Sequence, residues 1–425
     1  MSEIVDKNPT PETITVAASS VEAPSYTQKR SFGQLLRGDL GFLPVLLTLI
    51  IITLYFEITS HGLFFTPGNL SNLLQEAVAI GIAALAVTFV LLLGEIDLSV
   101  AAVGTLCAVI MGVLSERYHF TAAAAIIIAI LAGALVGTFN GFFIAVLRIP
   151  SFIVTLAASI AYSGLLLTFL AGQSTLIISN SFILSIAGSS LSFLPDVLGV
   201  GLPTLAVIIY AVAILLEQAQ RRRAGLRTKS LLQLLLQIGL VVVVVEGVVA
   251  VLENTPSPTR GIYLGVPNAV AILFGLILFF WIILTKTRFG RHIYAVGGNT
   301  EAARRAGINV TLIRISVFAL CSALAAVGGI LAASYGNAVA SQVSPTLLLE
   351  AIGAAVIGGI SLFGGKGSIW AIVLGTLIIG SLENGLALLN QSADVREIVE
   401  GSVLLLAVTV DAVIRRIQAA SKSGR

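Results

Sequence analysis

RFGRHIYAVGGNTEAARRAGINV (288–310) is a polar island between two long apolar runs, 266–285 and 311–334. The pattern predicts a short, well-capped helix at the cytoplasmic face of a membrane bundle. Asn299 or Thr300 is placed to accept from the first free N–H groups, and Glu301 falls in the first turn, where the helix dipole favours an anion. Arg304 and Arg305 occupy the last turn, where cations are favoured, and Gly307 stands where a left-handed residue ends a helix. A connection that only reversed the chain would not need capping at both ends. This one is built to present a rigid surface to something else.

The flanking runs set the fold class. The chain has 425 residues, 57% hydrophobic and only 11% charged, with a mean hydropathy of +1.03. A soluble domain carries about 25% charged residues, so that class is excluded. Apolar runs recur from about Leu40 to Val413, which predicts an all-α, polytopic transmembrane bundle of ten to twelve spans. The runs lie near 40–58, 73–93, 98–115, 122–147, 152–171, 202–216, 231–252, 266–285, 311–334, 346–363, 368–388 and 396–413. Cys107 and Cys321 lie far apart inside such runs and read as small buried hydrophobes. His61, His119 and His292 are isolated, which argues against a zinc site.

Residues 1–38 read as a disordered cytoplasmic tail, polar at the start and lacking a signal-peptide core. Residues 39–413 read as the transmembrane domain and 414–425 as a second cytoplasmic tail. Threading the spans from an inside N-terminus puts the basic loops 217–230 and 286–310 inside, together with the tail carrying Arg415 and Arg416. Only Arg117, Arg260 and Arg396 fall outside. The stretch 172–201 is too interrupted to span and is expected outside as short surface helices. It is either a docking surface or a simple cap on the bundle. Residues 217–285 form an inserted loop and helix pair between two stretches that echo one another. GALVGTFNG (133–141) and GTLIIGSLENG (375–385) both end in Asn-Gly, and Glu76 and Glu350 precede matching runs. Two diverged halves and chance similarity are both open readings.

Charged and amide side chains inside spans are costly and point to function. Glu95, Asp97 and Ser99, in LLLGEIDLSV (91–100), either line or gate a path or cap a helix break. Asn140 and Asn384 either line a polar path or hydrogen-bond between helices. Glu350 joins the same candidate set, and Glu246 is the most isolated intramembrane carboxylate. Gly365-Lys366 fails as a phosphate loop, because Ile360 stands where the first glycine belongs and Gly367 follows the lysine. There is no H-E-x-x-H and no plausible catalytic triad.

Glu301-Ala302-Ala303 followed by Gly307 has the EAA-x-x-x-G spacing of ABC importer permeases. The longer string GGNTEAARRAGINV (297–310) resembles the sugar permeases of the ribose/xylose class, a branch of the branched-chain amino acid/sugar permease family. GEIDLSV (94–100), RIPSFIVTLA (148–157) and AIGAAVIGGISLFGGKGS (351–368) carry the same resemblance. In one respect the chain departs from the wider pattern: no proline follows in TLIRISVFAL (311–320).

The resemblance implies that Gly298, Asn299, Glu301, Ala302, Ala303, Arg304 and Gly307 form a coupling helix that docks on an ATPase. It further implies a homodimer or permease pair in the inner membrane with both termini cytoplasmic. Two cytoplasmic ATP-binding subunits would hold the ATP and magnesium, with no cofactor on this chain and no nucleic acid. A sugar-binding protein would deliver cargo from outside. The inserted pair resembles the xylose type and makes D-xylose or another pentose the expected cargo. Ribose, galactose and branched-chain amino acids are the alternatives within the class. A secondary transporter using Asp97 or Glu246 is the alternative outside it.

Overall fold

A computed structural model describes residues 43–188, 192–226, 228, 230–254, 265–406 and 409. The tails expected at 1–38 and 414–425 lie outside the described residues. Helices α1 (Leu43–Thr59), α2 (Pro67–Leu92), α3 (Val100–Glu116), α4 (Ala122–Ala145) and α5 (Ser151–Phe169) come first, followed by β1 (Thr175–Ile177) and α6 (Ser181–Ala187). Then come α7 (Asp196–Arg223), α8 (Leu231–Leu252), α9 (Asn268–Lys286), α10 (Arg288–Gly298), α11 (Thr300–Arg305) and α12 (Val310–Tyr335). Strand β2 (Ala338–Ala340), α13 (Pro345–Ile357) and α14 (Ala371–Leu388) follow, and the chain is helical again over 393–406.

Among the described residues, eight helices are at least 18 residues long and apolar enough to cross a membrane. Three shorter apolar helices, Val45–Thr59, Val100–Glu116 and Thr346–Ile357, accompany them. Two of these, α3 and α13, are short for a common reason. The runs 98–115 and 346–363 contain backbone breaks, at 93–99 and 358–370, that end or delay the helix. The chain is a multi-pass helical membrane protein.

Helix α12, about 39 Å long at 1.5 Å per residue, is the central post. In a bilayer the hydrophobic effect does not drive helices together, so close backbone packing must. Helix α4 supplies it through small residues every fourth position, Ala125, Ala129, Gly133, Gly137 and Gly141, all buried. A Cβ on Gly133 would lie 2.7 Å from the Ser322 carbonyl oxygen, and one on Gly137 would collide with the Phe318 carbonyl and Ser322. A Cβ on Gly141 would reach the Ile315 Cα at 2.8 Å. Residue numbers rise along α4 as they fall along α12, so the two helices are antiparallel. On another face of α12, Gly329 packs against the backbone of Gly104 in α3.

The two ends of the bundle differ. At one end α12 emerges from the polar segment 288–309, and the C-terminus of α2 meets it there. At the other, β1 and β2 pair antiparallel with Thr175 opposite Ala340 and Ile177 opposite Ala338. Helix α6 packs there too, the Ser334 hydroxyl donating to the Ile183 carbonyl (2.6 Å) and accepting from the Ala187 N–H (2.9 Å). The stretch 172–201 therefore holds a strand and a short helix, as well as the start of α7. That helix begins at Asp196 rather than near 202 and runs through Pro203, a residue tolerated where neighbouring helices and side chains re-satisfy the freed carbonyl. It also continues through Arg221, Arg222 and Arg223, expected as loop. They form its last turn, where the dipole favours cations.

Gly137→Val should destabilise the fold by about 3 kcal/mol or more through overpacking. Gly164→Val, on α5 with nothing within 4 Å of the new Cβ, should change stability by less than about 1 kcal/mol. Thermal unfolding of the detergent-solubilised variants measures the contrast.

Candidate functional site

The polar segment is a chain of capped elements. Thr287 opens α10, its hydroxyl accepting from the Gly290 N–H (3.3 Å). Asn299 opens α11, its Oδ1 accepting from the Ala302 N–H (2.9 Å). Of the two sequence candidates Asn299 is thus the cap, while the Thr300 hydroxyl donates back to the Val296 carbonyl (2.9 Å). Gly307 takes the left-handed conformation, φ +83°. Its N–H donates to the Arg304 carbonyl and that of Ile308 to the Ala303 carbonyl, at 3.0 and 3.1 Å. These are the paired bonds of a Schellman ending, with Ala303 buried beneath. Asn309 then caps α12 by accepting from the Leu312 N–H (3.0 Å).

Helix α11 turns Ala303 inward and leaves Glu301, Ala302, Arg305 and Ala306 exposed. Glu301 bridges Arg304 (3.1 Å) and Arg305 (3.3 Å). These pairs stand in solvent and contribute little to stability; what they do is define a charged, rigid outer face.

The root of the segment is held by backbone rather than side chains. A Cβ on Gly297 would collide with the Leu92 carbonyl oxygen at the end of α2. That same carbonyl accepts from the Gly365 N–H (2.9 Å). A Cβ on Gly365 would lie 2.7 Å from the Gly298 Cα, and one on Gly364 would lie 2.7 Å from the Gly94 nitrogen and 2.8 Å from the Gly297 oxygen. The segment 358–370 is closed on itself by the Ser361 N–H donating to the Lys366 carbonyl (3.0 Å). The Tyr294 hydroxyl donates to its Gly367 carbonyl (2.9 Å), and burial pushes that phenol above its ordinary pKa. Gly365 therefore serves packing. Three chain segments meet here at distances only glycine permits.

Just beyond this root lies the break 93–99. Its backbone leaves helical geometry inside the bundle, so its N–H groups need partners. Helix α5 provides them: the Ile96 N–H donates to the Ser151 hydroxyl (3.3 Å) and the Leu98 N–H to the Thr155 hydroxyl (3.0 Å). Asp97 Oδ1 accepts from both the Ser99 N–H (2.8 Å) and the Ser99 hydroxyl (2.6 Å). Asn140 donates to the Ser99 hydroxyl (3.2 Å) and accepts from Tyr162 (2.7 Å). Asp97, Ser99 and Asn140 are each 0% exposed. Here they close a helix break and join α4 to α5. Glu95 pairs with Arg314 of α12 at 2.9 Å, in a partly buried bridge (side chains 15% and 24% exposed).

Asn384 and Glu350 belong elsewhere. Asn384 donates to Glu76 (3.1 Å) and accepts from Asn69 (2.9 Å), and the Tyr335 hydroxyl reaches Glu76 at 3.4 Å. Glu350 is buried on α13. No hydrogen bond or ion pair among the described residues joins this group to Asp97 or Asn140. Sequence reasoning missed Arg314 as the partner of Glu95 and Glu76 as the partner of Asn384. The signal was available, since both are charges inside apolar runs, the same criterion that selected Glu95.

A family described as branched-chain amino acid transport system / permease component matches residues 69–408. The chain is 33% identical over 367 residues to the xylose transport system permease protein of Haemophilus influenzae, covering 86% of this chain and 95% of that protein. It is 32% identical over 352 residues to the ribose import permease protein of Escherichia coli (strain K12), covering 82% and 87%. It is 30% identical over 409 residues to the fructose import permease protein of Rhizobium meliloti, covering 95% of each. No solved structure matches.

Replacing Arg314 by Met should strand the Glu95 carboxylate and cost about 2–3 kcal/mol, while adding Glu95→Gln should recover most of that loss. Thermal unfolding of the two single variants and the double variant closes the cycle. Additive losses would show that the bridge carries no coupling.

Proposed function

Because the chain belongs to the branched-chain amino acid transport system / permease component family, we propose that it is the membrane-spanning permease of an ATP-driven, binding-protein-dependent sugar importer. The observation that carries this reading is the capped helix α11, exposed on its outer face and rooted by glycine contacts onto α2 and the 358–370 segment. Gly298, Asn299, Glu301, Ala302, Ala303, Arg304 and Gly307 are its coupling residues. Two copies of the chain sit in the inner membrane with termini and α11 on the cytoplasmic side. Each α11 docks on a separate ATPase subunit that binds the ATP and magnesium, and the end carrying β1, β2 and α6 faces the sugar-binding protein.

Mechanistically, ATP-driven closure of the ATPases moves the docked α11. Its root contacts carry that displacement to the inner end of α2 and to the segment between α13 and α14. The Glu95–Arg314 bridge, adjacent to the root, ties the break to α12. Coupling requires that these contacts differ in free energy between inward and outward states. D-xylose or another pentose is the proposed cargo, supported by the 33% identity to a xylose permease and by the inserted α8–α9 pair within 217–285, which resembles the xylose type. The delivery protein sets specificity.

Glu301→Lys and Gly307→Val should each cut ATP-dependent uptake by about tenfold while ATP hydrolysis continues and the chain still reaches the membrane. Uptake and hydrolysis in proteoliposomes check this; normal transport by both variants would contradict the coupling role. Calorimetry on the partner binding protein should show tighter binding of D-xylose than of ribose or fructose.

A further inference from the structure

Beside the coupling helix, on its inward flank, lies a cavity of about 340 Å³ whose walls include Glu95, Arg148, Pro150, Arg304, Thr311 and Arg314. Four separate pieces of chain supply these residues: the break 93–99, the α4–α5 turn, α11 and α12. Three arginines line it, Arg148, Arg304 and Arg314. Arg314 is bridged to Glu95 and Arg304 to Glu301, whereas Arg148 makes no ion pair among the described residues. The Nε of Arg314 is buried with no hydrogen-bond partner. Glu301 is shared with Arg305, so positive charge exceeds negative around this cavity, and Arg148 has no carboxylate partner among the described residues. Planar guanidinium groups match phosphate oxygens in both charge and geometry.

The surroundings narrow the source of that phosphate. Helices α4 and α5, which carry the Arg148 turn, have only 28% and 17% of their apolar windows buried, so this corner stands at the edge of the bundle. Val146, Leu147, Phe152 and Ile153 flank the arginine and are each 46% to 53% exposed. An apolar collar beside a basic cavity suits a ligand with a phosphate head and a hydrocarbon tail. Basic pockets between helices on the cytoplasmic side hold anionic headgroups in this way. A phosphodiester would offset the charge of Arg148, which no carboxylate among the described residues pairs.

We propose that this cavity binds one anionic phospholipid of the cytoplasmic leaflet, its phosphate between Arg148 and Arg314 and its acyl chains along the α4–α5 turn. The assignment rests on the orientation in the preceding section, which places α11 inside. Through Arg304 and Glu95 the lipid would touch both the coupling helix and the break, so membrane composition would bear on the moving parts.

The test is native mass spectrometry of the full-length permease released from nanodiscs of equal parts phosphatidylglycerol and phosphatidylcholine. One phosphatidylglycerol per chain should be retained in preference to phosphatidylcholine, and Arg148→Gln should lower its occupancy about fivefold. Arg222→Gln, at the end of α7, should leave occupancy unchanged and controls for general charge loss. Equal retention of the two lipids, or of phosphatidylglycerol by wild type and Arg148→Gln, overturns the proposal. So does displacement of the lipid by millimolar inorganic phosphate, which would assign the cavity to a free anion. Loss of the lipid on adding the ATPase subunit would instead assign it to an acidic side chain of that partner. The permease alone is measured, so a failure here leaves the uncoupling by Glu301→Lys and Gly307→Val intact, and failure of those variants leaves the lipid readout standing.

Discussion

The close approach of α4 to α12 is the contact on which the rest of the structure depends. Lipid is as apolar as leucine, so two helices in a bilayer gain stability only by packing better against each other than against acyl chains. Gly133, Gly137 and Gly141 remove the side chains that would hold the backbones apart. Once α12 is fixed, other elements take their places along it. Arg314 near its start pairs with Glu95, the Cys321 thiol lies by Asp97, Gly329 receives α3, and Ser334 near its end holds α6.

The second constraint is that every non-helical stretch inside the bundle needs internal hydrogen-bond partners. The break 93–99 satisfies it with hydroxyls from α5 and with Asp97 and Ser99 of its own. The segment 358–370 satisfies it by closing on itself and on the Leu92 carbonyl. The 358–370 segment meets the 288–309 segment at Gly365 and Gly298, and the break 93–99 at Gly364 and Gly94. A rigid surface element is thereby attached, through backbone contacts with no flexible side chain between them, to the points where the membrane helices are interrupted. That arrangement suits transmission of a mechanical displacement.

Features set by local chemistry were legible in the sequence. The capped helix 299–307 follows from residue order alone, and Asn299, Glu301, Arg304, Arg305 and Gly307 stand where capping and dipole arguments place them. The apolar runs and the interrupted stretch 172–201 were legible for the same reason. Features that depend on distant pairing were not. Thr175 pairs with Ala340 across 165 residues, and nothing local marks either. GEIDLSV was recognisable as a helix end, but its debt to Ser151 and Thr155 appears only once α5 is beside it. Asn140 and Asn384 looked alike as Asn-Gly pairs and fall into separate networks. The run expected from 202 belongs to a helix that starts at Asp196, with Pro203 inside it.

The central claim is that α11 and the 358–370 segment move as one body. Spin labels at Arg305 and Phe363, both exposed, report on it by pulsed electron resonance in the assembled transporter, with and without trapped ATP. The account predicts an unchanged distance between the two labels within one chain, alongside a changed distance between the Arg305 labels of the two copies in the proposed pair. A 305–363 distance that shifts as much as the inter-copy distance would contradict it.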